Sequence, residues 1–91
     1  MSPAAGDDIR AAYTYYAERN PDAAGRIVRS IRDAINGLAQ FPLMGREGVV
    51  PGTRERILTR YPYKIIYEVN ENDDTIEIDR VLHTSQQWPP E

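Results

Sequence analysis

Residues 51–82 read PGTRERILTRYPYKIIYEVNENDDTIEIDRVL, and their alternation decides the fold. In residues 63–69 a bulky side chain recurs at every second position, and residues 54–60 and 75–82 alternate in a similar way. Turn-forming Asn and Asp residues at 70–73 separate the last two segments. Period-two alternation between such turns is typical of half-buried strands. The stretch therefore predicts three short strands in an antiparallel meander, with one face covered by the rest of the chain.

The chain before this stretch predicts two helices joined by a tight link. Ser2 and Pro3 suit the cap and first position of a helix that is expected to end near Arg19. Asn20-Pro21 interrupts it and begins a second helix, which Phe41-Pro42 ends. So short a link predicts an antiparallel hairpin. The apolar stripes that can share a core with the sheet comprise Ala5, Ile9, Ala12, Tyr13 and Tyr16, then Ala24, Ile27, Val28, Ile31, Ala34, Ile35 and Leu38.

The segment between the second helix and the first strand is predicted to be a loop. Residues 42–52 contain prolines and glycines, which interrupt both helices and central strands. Leu43, Met44 and Val49 are expected to pin this loop to the core. Together the pattern predicts a single domain, residues 1–91, of the α+β class. Its architecture is an N-terminal helical hairpin packed on a three-stranded antiparallel sheet.

Composition narrows the function classes. The formal net charge of −3 argues against a general polyanion binder. The absence of cysteine fits a reducing compartment, so a cytoplasmic location is expected. The N-terminus does not resemble a secretory signal, and no apolar run approaches the roughly 20 residues of a membrane span. With one histidine, no cysteine and no phosphate-binding glycine loop, neither a metal site nor a cofactor is expected.

Four basic residues surround the start of the predicted sheet. Arg54, Arg56 and Arg60 recur on one side of the first strand, and Lys64 opens the next strand. Together they can form a basic patch that holds phosphates. The alternative is a solvated sheet face or edge, where such charge discourages aggregation.

Histidine and aromatic residues provide further candidates. His83, the only histidine, can act as a general acid or base, but a lone histidine is more often structural. Trp88 either folds back as a plug or stays exposed as an anchor for a partner. Among the six tyrosines, Tyr15 and Tyr61 are the better candidates for contact with a partner, because the others fit core stripes.

The order and spacing of several short motifs resemble the ParE/RelE superfamily of toxins from type II toxin–antitoxin systems. The resemblance covers nearly the whole chain from Ser2, and no single motif is diagnostic. The family fold, a helical hairpin on an antiparallel sheet, is the one predicted above. The resembling motifs are Asn20-Pro21-Asp22-Ala23-Ala24, Leu38-Ala39-Gln40-Phe41-Pro42, Met44-Gly45-Arg46, Pro51-Gly52-Thr53-Arg54-Glu55, Tyr63-Lys64-Ile65-Ile66-Tyr67, Arg80-Val81-Leu82-His83 and Trp88-Pro89.

The resemblance includes one departure. Family members usually begin with a short strand before the first helix, whereas Ser2-Pro3-Ala4-Ala5 already resembles the helix start. A late start site, with the native start upstream of Met1, a truncation or real divergence would each account for this. Without that strand we expect an exposed sheet edge, covered by an antitoxin or by a second copy of the chain.

The superfamily contains two function classes. RelE-like members are metal-independent nucleases that cleave mRNA in the ribosome. The resemblance matches Lys64 and His83 to their working positions, and as a nuclease the chain would use Arg56 beside these two. The segment after His83 lacks the tyrosine or the basic cluster that those nucleases use. ParE-like members instead poison DNA gyrase and are not thought to be nucleases.

We therefore expect a ParE-like toxin, and not an enzyme, as found in plasmid stabilisation systems. The resemblance implies a ParD-like antitoxin as partner and DNA gyrase as target, inhibited through protein–protein contact. The alternatives are a RelE-like nuclease acting on the ribosome and mRNA, or an inactive member that only binds its antitoxin. Tyr15 and Tyr61 are expected to contact the antitoxin. The residues expected to contact the target are Arg54, Arg56, Arg60, Lys64, His83 and Trp88.

Overall fold

The computed structural model describes residues 1–90 and shows a helical hairpin followed by an antiparallel sheet. The elements are α1 (Pro3–Ala17), α2 (Pro21–Gln40), β1 (Arg46–Glu47), β2 (Arg54–Ile57), β3 (Tyr63–Asn70) and β4 (Thr75–His83). The sheet has four strands in the order β1-β2-β3-β4, and each pairs antiparallel with its neighbour. The predicted α+β fold is confirmed, with one strand more than expected.

The additional strand lies in the segment predicted to be a loop. Arg46 pairs with Glu55, and Glu47 pairs with Arg54, so β1 has only two residues. A strand this short has no alternation to detect, and the surrounding prolines and glycines favour a loop. β1 therefore covers only part of the outer edge of β2.

Both helices begin at the positions that were predicted from their capping residues. Ser2 Oγ accepts a hydrogen bond from the Ala5 N–H (3.1 Å), and Asn20 Oδ1 accepts one from the Ala23 N–H (3.2 Å). Each bond satisfies an N–H group that the first turn of a helix leaves unpaired. Within residues 1–90, no helix is both long enough and apolar enough to cross a membrane.

The core lies between the helices and one face of the sheet, as predicted. Tyr13 is an exception: it is 48% exposed, because at about 100° per residue it lies to one side of the stripe formed by Ala5, Ile9 and Ala12. The buried residues of this core are Ala5, Ile9, Ala12, Ile27, Ile31, Leu38, Tyr63, Ile65, Tyr67, Ile78 and Val81.

Strand register determines which side chains face the helices. Directly paired residues share a face of the sheet. Tyr63, Ile65 and Tyr67 join the core, so Lys64 lies on the opposite face. A register shift between β3 and β4 leaves Asp79 without a paired residue on β3.

Polar contacts hold the connection between α2 and β2. The hydroxyl of buried Tyr67 donates to the Pro42 carbonyl (2.6 Å) and accepts from the Gly45 N–H (2.9 Å). Arg54 Nη1 donates to the Gly45 carbonyl (2.7 Å). A Cβ atom at Gly45 would lie 2.6 Å from the Tyr67 hydroxyl oxygen and 2.9 Å from the Glu55 carbonyl oxygen, so only glycine fits there.

The apolar side chains of this connection point into solvent. Leu43, Met44 and Val49 are 65%, 49% and 69% exposed, so the expectation that they pin the loop is wrong. The hydrogen bonds of Tyr67 and Arg54 already fix the main chain. The apolar side chains are consequently free to face outward.

The outer edge of β4 is partly capped by the chain itself. The Ser2 N–H donates to the Ile78 carbonyl (2.9 Å), and Ser2 Oγ donates to the Asp79 carbonyl (2.7 Å). The Asp8 carboxylate on α1 accepts from the Val81 N–H (2.9 Å). These groups occupy hydrogen-bonding positions that a neighbouring strand would otherwise fill. The expected exposed edge is therefore wrong for this part of β4.

Candidate functional site

The four basic residues expected to form one patch lie on two faces of the sheet. Arg54 pairs with Tyr67 and Arg56 pairs with Ile65, so both arginines project from the helix-facing side of β2. Lys64 lies on the opposite face of β3. Of the two alternatives that the sequence leaves open, the structure therefore does not have one patch of all four residues, because alternation within each strand does not reveal how neighbouring strands are aligned.

Arg60 joins Arg56 beside the second helix. Both residues line a groove of about 440 Å³ together with Ser30 and Asp33 of α2. The structure thus brings together two of the arginines expected to contact the target, with Arg54 further along the same strand.

None of these arginines forms a salt bridge within residues 1–90. Arg54 Nη1 donates to a main-chain carbonyl, and Arg56 Nη1 donates to the Ile57 carbonyl (3.2 Å). Asp33 lines the groove but is not within salt-bridge distance of a guanidinium group. The guanidinium charges of these arginines are therefore available to pair with an acidic or phosphate group from outside the chain.

His83 ends β4 with its ring packed against Tyr63. The two ring centroids are 5.4 Å apart in an edge-to-face arrangement. The Ser85 N–H donates to His83 Nδ1 (3.0 Å), and Ser85 Oγ lies 2.7 Å from the same atom. Because a backbone N–H can only donate, Nδ1 accepts, and the neutral ring carries its proton on Nε2. Burial, followed by the neighbouring Tyr16 and Tyr15, raises the pKa of Tyr63 to about 12, so its phenol stays neutral.

The three residues that a RelE-like nuclease would use do not form one site. Arg56 and His83 lie on strands separated by β3, about two strand spacings or roughly 10 Å apart. Tyr63 and Ile65 of the core lie on the strand between them. Lys64 is on the other face of the sheet. A general acid, a general base and the charge that assists them must all reach one reacting group. Lys64 projects from the opposite face and so does not join Arg56 and His83 in one site.

Trp88 folds back beside β4. The guanidinium carbon of Arg80 lies 5.8 Å from the centroid of the indole ring. The indole Nε1 is buried and has no hydrogen-bond partner in the described part of the chain, whereas the residue as a whole is half-buried. Of the two possibilities that the sequence leaves open for Trp88, the structure has the folded-back one.

The two tyrosines expected to contact the antitoxin differ in exposure. Tyr15 is 52% exposed, and the guanidinium carbon of Arg19 lies 3.8 Å from its ring centroid. Tyr61 is half-buried and packs against the core. Tyr15 therefore offers an accessible aromatic face on α1, whereas Tyr61 contributes mainly to packing.

Comparison with known proteins places the chain in a family. The family model described as the ParE toxin of the type II toxin–antitoxin system parDE matches residues 1–88. The chain belongs to this ParE family. The resemblance stated from the sequence motifs is thereby confirmed.

Individual relatives agree with the ParE assignment. A protein of Sinorhizobium fredii that is named as a candidate toxin, Y4kP, is 41% identical over 75 residues, covering 82% of this chain and 75% of the relative. A chain in the structure titled chromosomal ParDE TA system from P. aeruginosa is 27% identical, with a TM-score of 0.79. That match covers 90% of this chain and 89% of the other. The hairpin-and-sheet fold is thus shared with a solved ParDE structure.

This ParE-family chain also exposes an apolar surface that the sequence pattern did not reveal. The exposed side chains lie at the β1–β2 edge of the sheet, and we call them the apolar rim. The sequence predicts three of them, Leu43, Met44 and Val49, to be loop anchors, because apolar residues usually pack inward. The rim comprises Phe41 (60% exposed), Leu43 (65%), Met44 (49%), Val49 (69%) and Ile57 (38%).

An acidic cluster is the second feature that sequence reasoning missed. Burial, then the hydrogen bond and charge of Glu68, then the charge of Glu77, raise the pKa of Asp79 to about 6. The terminal ammonium group of Met1 lies 3.6 Å from Glu77. The cluster depends on the register shift at Asp79, which no sequence period indicates. Among residues 1–90, no group of His, Cys, Asp or Glu side chains is arranged to hold a metal ion.

Proposed function

We propose that this chain is a toxin that a ParD-like antitoxin neutralises and that, when free in the cytoplasm, inhibits DNA gyrase by binding to it. Membership of the ParE family supports the toxin role. The ParDE title of the P. aeruginosa structure supports an antitoxin as partner. The observation that favours gyrase over mRNA is the separation of Arg56, Lys64 and His83.

The chemistry of RNA cleavage explains why that separation matters. Attack by a ribose 2′-OH requires a base near the hydroxyl and positive charge near the developing phosphorane. In this chain Arg56, Lys64 and His83 are on three different strands, and Lys64 is on the face opposite the other two. A toxin that acts by binding needs only a complementary surface, and the arginines without a salt-bridge partner are our candidate for it.

In this proposal the gyrase contact is centred on the groove that Arg56 and Arg60 line. Their guanidinium groups have no carboxylate partner in the described chain, so an acidic region of gyrase can pair with them without first breaking an internal salt bridge. Arg54 extends the same positive edge. Lys64 lies on the other face of the sheet and is expected to contribute less than these arginines.

The experiment that tests the proposal is DNA supercoiling by gyrase in the presence of the purified chain. Inhibition with accumulation of cleaved DNA is the expected result, because a bound toxin would trap the enzyme on its cut substrate. If a folded sample left gyrase unaffected but cleaved mRNA on ribosomes, the nuclease alternative would replace this proposal. Inactivity in both assays would indicate a member that only binds its antitoxin.

Neutralising two arginines tests the proposed contact. The double variant Arg56→Gln/Arg60→Gln is expected to need a concentration about tenfold or more higher for the same inhibition, since each lost charge pair weakens binding. The control is Arg29→Gln/Arg32→Gln, which changes net charge equally on exposed positions of α2. Full inhibition by a folded Arg56/Arg60 variant would show that gyrase binds elsewhere.

A further inference from the structure

The main chain of the α2–β2 connection is fixed although its side chains are exposed. Buried Glu55 accepts from the Val49 N–H through Oε2 (3.2 Å) and from Arg46 through Oε1 (3.3 Å). The Tyr67 hydroxyl holds the other end of the connection at Pro42. A segment whose main chain is already ordered loses little further entropy when a partner binds.

The apolar rim is concentrated at one edge of the sheet. Met44 and Ile57 line a shallow groove of about 180 Å³ together with Arg56. Leu43 lines a second groove together with Arg54, and this groove extends to Val69 at the end of β3. Apolar side chains that are scattered singly need no explanation, but a group of them rimmed by polar residues marks a binding surface.

The charges beside the rim define the chemistry of its partner. On the Met44 side the one carboxylate, Glu55, is buried and already bound. Exposed Glu47 and Glu71 lie on the Leu43 side instead. A complementary segment therefore carries apolar side chains for the rim and carboxylates toward Arg56.

We propose that the apolar rim is the docking surface of the antitoxin, and that the antitoxin segment seated there is amphipathic and acidic. This inference rests on the proposed function, which names the antitoxin as partner. A segment in this position also reaches the groove of Arg56 and Arg60, so it blocks the gyrase contact directly. Tyr15 lies on α1, which packs against β4 at the other edge of the sheet, and is outside this surface.

Two physical arguments favour the antitoxin over other occupants. An antitoxin must keep the toxin inactive in a lasting complex, and lasting interfaces have more apolar cores than transient ones. A second copy of the chain is disfavoured because a two-fold contact places the same surface on both sides. Such a contact would bring the uncompensated Arg56 of each copy toward the other.

Truncating the rim tests the inference. We expect Leu43→Ser/Met44→Ser to weaken binding of a purified ParD-like antitoxin that binds the unaltered chain by about tenfold or more, as measured by titration calorimetry. Tyr13→Ser is the matched control, because Tyr13 is 48% exposed but lies on α1. The expected change for the control is less than about twofold. Thermal unfolding of each variant confirms that it is folded, and Val49→Ser replaces the double variant if it is not.

The salt dependence of antitoxin binding tests whether the partner is acidic. Binding of the antitoxin is expected to weaken as salt rises, and Arg56→Gln is expected to reduce this salt dependence.

Three results would overturn the inference. The first is that the rim variants bind the antitoxin as tightly as the unaltered chain does. The second is that they bind it normally but no longer inhibit gyrase. The third is that they bind it normally but lose an association between copies of the chain. Antitoxin affinity is measured without gyrase, so a failure of the gyrase assay would count against the proposed target and not against the docking surface.

Discussion

Asp79 has a side-chain carboxyl group whose ionised form is destabilised in the folded protein. Burial and the neighbouring Glu68 and Glu77 raise its pKa from 3.8 to about 6. The folded state therefore holds this proton more tightly than the unfolded state does. The stability that Asp79 contributes is present below about pH 4 and is lost as the pH rises through about 6.

Replacing this carboxyl group is expected to stabilise the protein at neutral pH. A rise in pKa from 3.8 to about 6 corresponds to roughly 3 kcal/mol, and solvent screening of a half-buried group reduces the expected gain for Asp79→Asn to about 1 kcal/mol. Urea unfolding of the variant and the wild type from about pH 4 to pH 7 measures the gain, which should appear only as Asp79 ionises. Glu71→Gln, an exposed turn residue, is the control. A gain that is equal at both ends of this pH range would contradict the assignment.

Single residues also show what the sequence could and could not predict. Alternation predicted that Tyr67 is buried, and it is. The partners of its hydroxyl, Pro42 and Gly45, are 25 and 22 residues away along the chain, so only the tertiary fold reveals them. For the same reason the outward direction of Leu43 could not be predicted, because it depends on polar contacts that already hold the loop.

At the scale of elements, one carboxylate ties α1 to the last strand. Asp8 accepts from Arg80 Nε (2.8 Å), Arg80 Nη2 (2.9 Å) and the Val81 N–H (2.9 Å), and its side chain is 14% exposed. The pairing with Asp8 raises the pKa of Arg80. We expect Asp8→Ala to lower the free energy of unfolding by about 2–3 kcal/mol, because it leaves a strand N–H and a guanidinium group without their acceptor.

The adjacent Asp7 provides the control for this prediction. Asp7 pairs with Arg10 on the helix surface, where the two side chains are 71% and 73% exposed. Asp7→Ala is expected to cost less than about 0.5 kcal/mol, because exposed ion pairs are worth little. Chemical denaturation compares the two variants, and amide exchange at Val81 should accelerate only in Asp8→Ala. Equal losses of stability would show that Asp8 does not hold the edge of β4.

The elements also show why the site was harder to predict than the fold. Caps at Ser2 and Asn20 set the helix starts, and period-two alternation gave the two faces of β3 correctly. Alternation within one strand does not fix its alignment with the next, and a slip of one residue moves every side chain to the other face. Arg56 and Lys64 were therefore expected on one face although pairing places them on opposite faces.

At the scale of the whole molecule, antitoxin binding and stability are coupled. A chain of 91 residues buries a modest fraction of the surface that its unfolded form exposes. Part of its apolar surface, the rim, is exposed to water in the free chain. A partner that binds only the folded chain adds its binding free energy to the stability of the fold.

The antitoxin is therefore expected to raise the melting temperature of the toxin. At a free antitoxin concentration of about 100 times Kd the gain is about 2.7 kcal/mol. Each kcal/mol raises Tm by about 4–8 °C in a domain of this size, which gives a rise of about 10–20 °C. Scanning calorimetry at increasing antitoxin concentration measures it, and Leu43→Ser/Met44→Ser at the same concentrations should show a clearly smaller rise. Equal rises would place the antitoxin on another surface, and no rise in either protein would mean that it does not prefer the folded chain.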